Sequence, residues 1–323
     1  MTHAVRIHST GGPEVLKWEE VEVGEPGPGE VRIRQAAAGL NFIDVYHRTG
    51  LYRQPFPFIP GVEGAGIVEA IGEGVESLRS GDRVAYAGPL GGYAETRLID
   101  ADRLVKLPDD IGFDEAAAMM LRGMTARMLL RSVHEVKSGE TILVHAAAGG
   151  VGLILCQWAS ALGATVIGTV STEEKAELAR AHGCDHPILY TKQDFAQQVD
   201  KLTAGQKLSV VYDSVGKETF LKSLDCLRPR GLMVSFGNAS GPVDPISPLL
   251  LSKKGSLFLT RPTLFHYIAT RPELEQSAAD LFDMVRSGKM KIEVGQRYKM
   301  SEAAEAHRAL EARETTGSTI LTS

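Results

Sequence analysis

Three cysteines in 323 residues, Cys156, Cys184 and Cys226, are too few and too widely spaced for a disulfide framework or a cysteine-rich zinc site. Basic residues are not in excess. Lys and Arg number 35 against 40 Asp and Glu, the formal charge is −5, and no basic stripe interrupts the chain, which argues against a dedicated nucleic-acid binder. Aromatics make up only 6%. The first residues, MTHAVRIHSTGGPEV, lack an apolar signal region, so the expectation is a cytoplasmic protein. Internal repeats and low-complexity tracts are missing as well. Glycine, by contrast, is plentiful at 34 residues.

One long stretch lacks charge altogether. Residues 141–172, TILVHAAAGGVGLILCQWASALGATVIGTVST, hold no Asp, Glu, Lys or Arg. Length alone would suit a membrane span, but the internal pattern does not. Thr141–His145 is a short β-rich run and Ala146–Gly152 a small-residue turn. Leu153–Leu162 has helical spacing, Gly163-Ala164 breaks it, and Thr165–Val170 is β-rich again. Strand, glycine turn, helix and strand make a βαβ unit buried on both faces of a sheet.

Before this unit, short alternating runs recur at Ala4–His8, Val31–Ala36, Gly66–Ile71 and Arg83–Tyr86, separated by Gly/Pro turns. They predict a β-rich, barrel-like domain. From Asp114, a candidate cap, DEAAAMMLRGMTARMLLRSV reads as a helix. After the βαβ unit, helices (EEKAELARAHG, stopped by Gly183; DFAQQVDKLTAG; KETFLKSLDCL) alternate with strands (HPILYT, LSVVYDSV, GLMVSFG). Such alternation predicts a doubly wound parallel sheet. The tail reads as two helices, LEQSAADLFDMVRSG and YKMSEAAEAHRALEAR, and a closing strand STILTS that completes the first domain.

Ala147-Ala148-Gly149-Gly150-Val151-Gly152 fits A-x-G-x-x-G in the strand-to-helix context a dinucleotide site requires. Gly149 would let the backbone approach a pyrophosphate, Gly152 would let helix and strand pack closely, and the helix-start amides around Ala148–Val151 would face phosphate oxygens. An NAD site carries an acid at the tip of the second strand. Here that tip is Ser171-Thr172, followed one turn later by Lys175. Small hydroxyls and a cation favour a 2′-phosphate, hence NADPH, although Lys175 also suits a solvated helix face beside Glu173 and Glu174. Tyr190, ending the third strand, is a candidate for the 2′-phosphate or adenine, or an ordinary strand-end aromatic.

Seven stretches in order, GGPEVL, AAGLNFIDVYHRTGLY (37–52), PGVEGAGIVEAIGEGV (60–75), GDRVAY (81–86), HAAAGGVG (145–152), VVYDSVG (210–216) and RGLMVSFGNASG (230–241), make the chain resemble the quinone oxidoreductases of the medium-chain dehydrogenase/reductase superfamily, the zeta-crystallin-like branch. The resemblance covers essentially the whole chain. It implies an α/β protein in which a doubly wound nucleotide-binding domain, 123–261, is joined to a discontinuous GroES-like catalytic domain, 1–122 and 262–323. It also implies NADPH-dependent quinone reduction and a homodimer through the nucleotide domains. Zinc alcohol dehydrogenases of the same superfamily carry a catalytic His where this chain has Val62 and a Cys where it has Asn41. No cysteine falls in residues 86–110, where those enzymes hold a structural zinc. The expectation is therefore no metal.

A quinone is a strong electrophile and needs little beyond placement against a hydride donor. The resemblance puts Asn41, Tyr46 and Tyr52 near the nicotinamide: Asn41 to position nicotinamide or acceptor, the tyrosines as a stacking and hydrogen-bonding wall. Domain packing is the competing reading for the tyrosines. Asp44 is expected to cap a helix starting near Ile43. Thr125 matches a family position near the cofactor, or bonds back to its own helical turn. Ser214 and Val215, and Phe236, Gly237 and Asn238, end the fourth and fifth strands, where ligands sit in such folds. Phe258-Leu259-Thr260 resembles a family strand at the nicotinamide and dimer edge. Arg313 matches a position reaching toward the cofactor, or is a helix C-terminal cation. His145 reads as a hydrogen-bonded core residue and Cys156 as packing. Reduction one electron at a time, to a semiquinone, is open. So is a runner-up reaction, NADPH-dependent reduction of activated C=C bonds in enones or alkenals. The reading from another class is a non-enzymatic nucleotide- or RNA-binding role.

Overall fold

The structure, a computed structural model, describes Met1–Ser323. The chain forms two compact units, one of residues 1–124, 268–286 and 291–323, the other of residues 125–267 and 287–290.

The first unit is β-rich. Seven strands form one sheet in the order Val294–Lys299, Ser318–Thr322, Glu30–Leu40, Glu63–Ile71, Arg83–Ala87 and Val105–Lys106, with Thr96–Asp100 also paired to Glu30–Leu40. All pairings are antiparallel except Val294–Lys299 with Ser318–Thr322. The tail strand thus completes the sheet built by the N-terminal residues. A hairpin of Thr2–Arg6 and Lys17–Val21 forms a second small sheet. Glu30–Leu40 shows why the pattern is legible: Val31, Ile33 and Gln35 are buried while Arg32 is half-buried and Arg34 exposed, the period of a strand with one face on a core. That core joins Val31, Ile33, Val68, Val84, Tyr86 and Leu104.

The second unit carries six parallel strands in the order His186–Leu189, Thr165–Val170, Thr141–Val144, Leu208–Asp213, Leu227–Ser235 and Phe258–Thr260. The expected doubly wound sheet is present. Helices Gly150–Ala161, Glu173–Ala181 and Phe195–Leu202 alternate with the strands. Leu143, Ile167, Val211 and Met233 from four neighbouring strands share one core with Phe195, Val199 and Phe220. Gly163 and Gly183 take φ of +83° and +85°, ending two of these helices in the left-handed conformation that glycine adopts without strain.

Several expectations need correction. Asp114 is not a cap, because the helix already begins at Phe113 and runs to Met128, with a wider π turn over Leu129–Val133. Asp44 is not the cap of its helix either. Phe42–Thr49 is capped by Asn41, and Asp44 is the third residue inside, reaching back to the Asn41 amide at 2.9 Å. KETFLKSLDCL yields only Phe220–Ser223 and a 3-10 turn, since Thr219 turns its hydroxyl onto Asp213 and holds the chain in a loop before the helix. YKM belongs to the strand Val294–Lys299 and a 3-10 turn, and the last helix starts only at Ala303. Alternation of Val294, Gln296 and Tyr298 is masked in sequence by the polar residues between them.

Candidate functional site

In the second unit the glycine turn follows Thr141–Val144 directly. Ala146 adopts a left-handed φ of +54°, and Gly149 caps the helix that starts at Gly150. The Leu153 amide is the first to bond within this helix, to Gly149 O at 2.9 Å. The amides of Gly150, Val151 and Gly152 precede it at the helix start, where the peptide dipoles favour an anion. A Cβ on Gly152 would lie 2.2 Å from Ala146 O, whereas one on Gly149 would meet nothing closer than that carbonyl at 3.2 Å. Gly152 is therefore required by packing, and Gly149 leaves an open backbone face, a cradle that fits a pyrophosphate.

Six of the other cofactor candidates, Ser171, Thr172, Tyr190, Ser214, Phe236 and Gly237, follow the C-terminal ends of the parallel strands. Ser171 and Thr172 follow Thr165–Val170. Thr172 caps the next helix, its hydroxyl accepting the Lys175 amide at 3.2 Å. Tyr190 follows His186–Leu189 and is exposed. Ser214 and the Phe236-Gly237 pair lie on loops locked together by Ala239 N to Ser214 O at 3.2 Å and Ser240 N to Val215 O at 2.8 Å. A Cβ on Gly237 would come within 2.3 Å of Ser214 O. Arg261 reaches Gly237 O at 2.9 Å, next to Thr260. Phe258 and Leu259 stand on the outermost strand and are exposed. Thr125 is half-buried on the helix Phe113–Met128.

In the first unit, Asn41, Tyr46 and Tyr52 come together on one short segment. The rings of Tyr46 and Tyr52 meet edge to face at 5.3 Å, and the Tyr52 amide bonds Tyr46 O at 3.0 Å. Asn41 is buried and donates from Nδ2 to Glu63 Oε1 at 2.6 Å. Arg313 follows the helix Ala303–Glu311 with φ of +61° and is exposed.

Around Asn41 lies a buried polar network that sequence reasoning missed. Glu63 is fully enclosed. It accepts from Asn41 and from the Leu121 amide at 2.7 Å and faces Arg122 at 3.6 Å. Burial pushes its pKa up, opposed by Arg122 and these donors. Asp44 accepts from Tyr93 OH at 3.0 Å. Tyr93 OH also meets His307 Nε2 at 3.3 Å, His307 Nδ1 meets Arg48 at 3.2 Å, and Arg48 ends on Glu311 at 2.7 and 2.9 Å. Enclosure, partly offset by the Asn41 amide and Tyr93, drives Asp44 to about 7. Burial lowers His307 to about 3, helped by the Arg48 charge, and lowers His47 to about 4. The signal was visible: Glu63 stands alone in the apolar run GVEGAGIV, and Arg122 in a helix of Ala and Met.

A parallel dinucleotide-type sheet and a GroES-like β-rich unit define the medium-chain dehydrogenase/reductase class. Residues 27–109 match the alcohol dehydrogenase GroES-like domain and residues 150–283 the zinc-binding dehydrogenase domain. The chain is similar to a quinone oxidoreductase of Pseudomonas aeruginosa, 54% identical over 99% of both chains, and to a 2-haloacrylate reductase of Burkholderia, 49% identical over 99% of both. A crystal structure of Escherichia coli quinone oxidoreductase complexed with NADPH superposes with a TM-score of 0.98 at 47% identity, covering 99% of this chain and 100% of that one. The chain belongs to the quinone oxidoreductase family. The zinc in one domain's description does not fit these residues. No three His, Cys, Asp or Glu side chains gather to hold a metal ion, and the Asn41 amide is turned to Glu63.

Proposed function

We propose that the chain reduces quinones with NADPH, with the cofactor on the C-terminal edge of the parallel sheet. The observation that carries this reading is the second strand's tip. It offers Ser171, the Thr172 hydroxyl and Lys175 where a 2′-hydroxyl site would place an acid. The amides of Gly150, Val151 and Gly152 would bind the pyrophosphate, with Ala148 and Gly149 letting it approach. Thr172 and Lys175 would take the 2′-phosphate beside Tyr190. Ser214, Phe236, Gly237, Phe258, Leu259 and Thr260 would flank the ribose and carboxamide, with Thr125 and Arg313 as further contacts. NADPH, when bound, supplies a hydride. Asn41, its Nδ2 fixed by Glu63, would orient nicotinamide or acceptor. Tyr46 and Tyr52 would stack on the acceptor ring and donate to its developing oxygen charge.

Stopped-flow and steady-state oxidation of NADPH by chelator-treated protein tests the reading, with an ortho-quinone as acceptor. Fast turnover with NADPH preferred over NADH is expected. Lys175→Ala should weaken NADPH about 10-fold, the value of one lost charge-assisted contact, and leave NADH nearly unchanged. Equal loss for both would remove the 2′-phosphate assignment.

A second reading, reduction of activated C=C bonds, is favoured by the whole-chain identity to a 2-haloacrylate reductase. Turnover with a 2-alkenal or 2-haloacrylate but not with the quinone would replace the first reading with it. No turnover with any of these would return the chain to a binding role. We also read the protein as a homodimer of the cytoplasm; its three free, buried cysteines suit a reducing compartment.

A further inference from the structure

His145 stands at the junction of the glycine turn, the second strand and the fourth, and no role in the reaction has been given to it above. It is 1% exposed. Nδ1 lies 2.9 Å from Thr169 Oγ1 and Nε2 lies 2.9 Å from Ser223 Oγ. Thr169 Oγ1 also receives the Ala146 amide at 3.3 Å. Ser223 Oγ faces Thr219 O at 2.8 Å and Asp213 Oδ2 at 3.3 Å. Asp213 Oδ1 in turn accepts the amides of Val215 at 2.8 Å and Gly216 at 2.9 Å. The ring of Phe195 packs edge-on against the imidazole at 4.9 Å and closes the remaining side.

Counting hydrogens fixes the direction of this chain. Suppose Ser223 donated to Nε2. Nδ1 would then carry the proton and donate to Thr169, and the Thr169 hydroxyl hydrogen would have no further acceptor. In the reverse direction every hydrogen is used. The Ala146 amide donates to Thr169, Thr169 to Nδ1, Nε2–H to Ser223, and Ser223 to Thr219 O or the Asp213 carboxylate. Burial lowers the pKa of His145, opposed by the Asp213 charge, which keeps the ring neutral at working pH.

We propose that His145, held as the neutral Nε2–H tautomer, is a positioning residue for the dinucleotide that ties the glycine turn to the Ser214–Gly216 loop. The proposal rests on the cofactor reading above. One end of the chain holds Ala146, whose left-handed backbone starts the turn. The other shapes the loop that carries Ser214. A single imidazole thus sets the spacing between the place for the pyrophosphate and the place for the ribose.

Long-range 1H–15N correlation spectra of the full-length protein, with and without NADPH, read the tautomer. Nε2–H is expected at pH 7 to 8, above the ordinary histidine range that burial lowers; an Nδ1–H or doubly protonated ring there overturns the proposal. NADPH dissociation constants are measured for wild type, Thr169→Val, Ser223→Ala and the double variant. Each single variant should weaken binding about 5–10-fold, the scale of one broken hydrogen bond. The double variant should fall short of the product, because either change alone breaks the same chain. KM for NADPH should rise with kcat nearly unchanged, a split that general loosening would not produce. His145→Gln, which keeps a donor toward Ser223, should recover part of the affinity lost in His145→Leu. Variants that bind NADPH as wild type does, or that lose only thermal stability, overturn the proposal. A wild-type chain that binds no NADPH overturns the cofactor reading beneath it.

Discussion

Asp44 shows how far one buried carboxyl departs from its sequence character. Its Oδ1 has no hydrogen-bond partner, and its pKa rises from 3.8 to about 7. The sign of the consequence follows from linkage. Between these values the folded chain keeps a proton that the unfolded chain releases, so Asp44 contributes stability below about pH 4 that is lost as pH rises through 7. The loss is about 1.4 kcal/mol per pH unit. Asn in its place retains an acceptor for the Asn41 amide and Tyr93 but cannot ionise. Asp44→Asn should therefore flatten this part of the pH profile and leave the protein a few kcal/mol more stable than wild type at pH 8, as an upper figure. Urea unfolding at half-unit pH steps checks it; parallel profiles for both proteins would mean that Asp44 ionises normally. His307 and His47 work in the opposite sense. Their pKa values of about 3 and 4 make the folded chain lose stability as pH falls below 6.5. The variant must therefore be compared with wild type at each pH, not with itself.

At the scale of an element, the glycine turn separates packing from binding within four residues. A Cβ at position 152 would press on the Ala146 carbonyl and Ala147 backbone, neither of which is a flexible side chain. Gly152→Ala should cost about 1–3 kcal/mol of stability by overpacking. A Cβ at position 149 would meet only the Ala146 carbonyl, at 3.2 Å, a tight but far smaller conflict, so Gly149→Ala should lose less stability than Gly152→Ala yet weaken NADPH by obstructing the pyrophosphate's approach. Thermal melts and NADPH titrations of both variants check this pair. Equal stability loss in both would mean the turn is a packing device with no cradle. Why this turn was legible in sequence and the Asp44 network was not has a physical answer. The turn is local: strand, glycines and helix lie within about a dozen residues, and the two periods announce them. Likewise Glu30–Leu40 and Thr165–Val170 carry their alternation or their β-branched runs openly. The network joins Asp44, Tyr93, Arg48 and His307 across more than 200 positions of chain, 214 of them between Tyr93 and His307 alone. Only the fold brings such groups together, and each by itself reads as an ordinary surface residue. Helix ends failed for a related reason. Asn41 and Asp44 both suit a cap, and it is the turn of the backbone, not residue type, that makes Asn41 the cap and Asp44 its reciprocal partner.

For the whole molecule, the exposed edge of the parallel sheet carries the main consequence. Phe258–Thr260 is the outermost strand, bonded on one side to Leu227–Ser235 and unpaired on the other. Phe258 is 61% exposed and Leu259 39%. No helix of the chain is long and apolar enough to cross a membrane. An apolar edge strand left open is a template for another chain, and soluble proteins usually blunt such edges with charge or proline. Phe258–Thr260 itself supplies neither; Arg261 and Pro262 follow only after the strand has ended. A second copy offering the same strand across a two-fold axis would pair both edges and cover both phenylalanines. This is the observation that supports the homodimer proposed above. Phe258→Lys and Leu259→Lys each add a charge to that edge. The double variant should sediment and scatter as a 34.8 kDa species at micromolar concentration, where wild type should give twice that mass. Because Phe258 and Leu259 are also proposed to flank the ribose and carboxamide, its NADPH affinity should fall as well, so the mass and not the affinity reads the pairing. Wild type that scatters as a single chain at the same concentration would refute the pairing and leave the apolar edge in need of another partner.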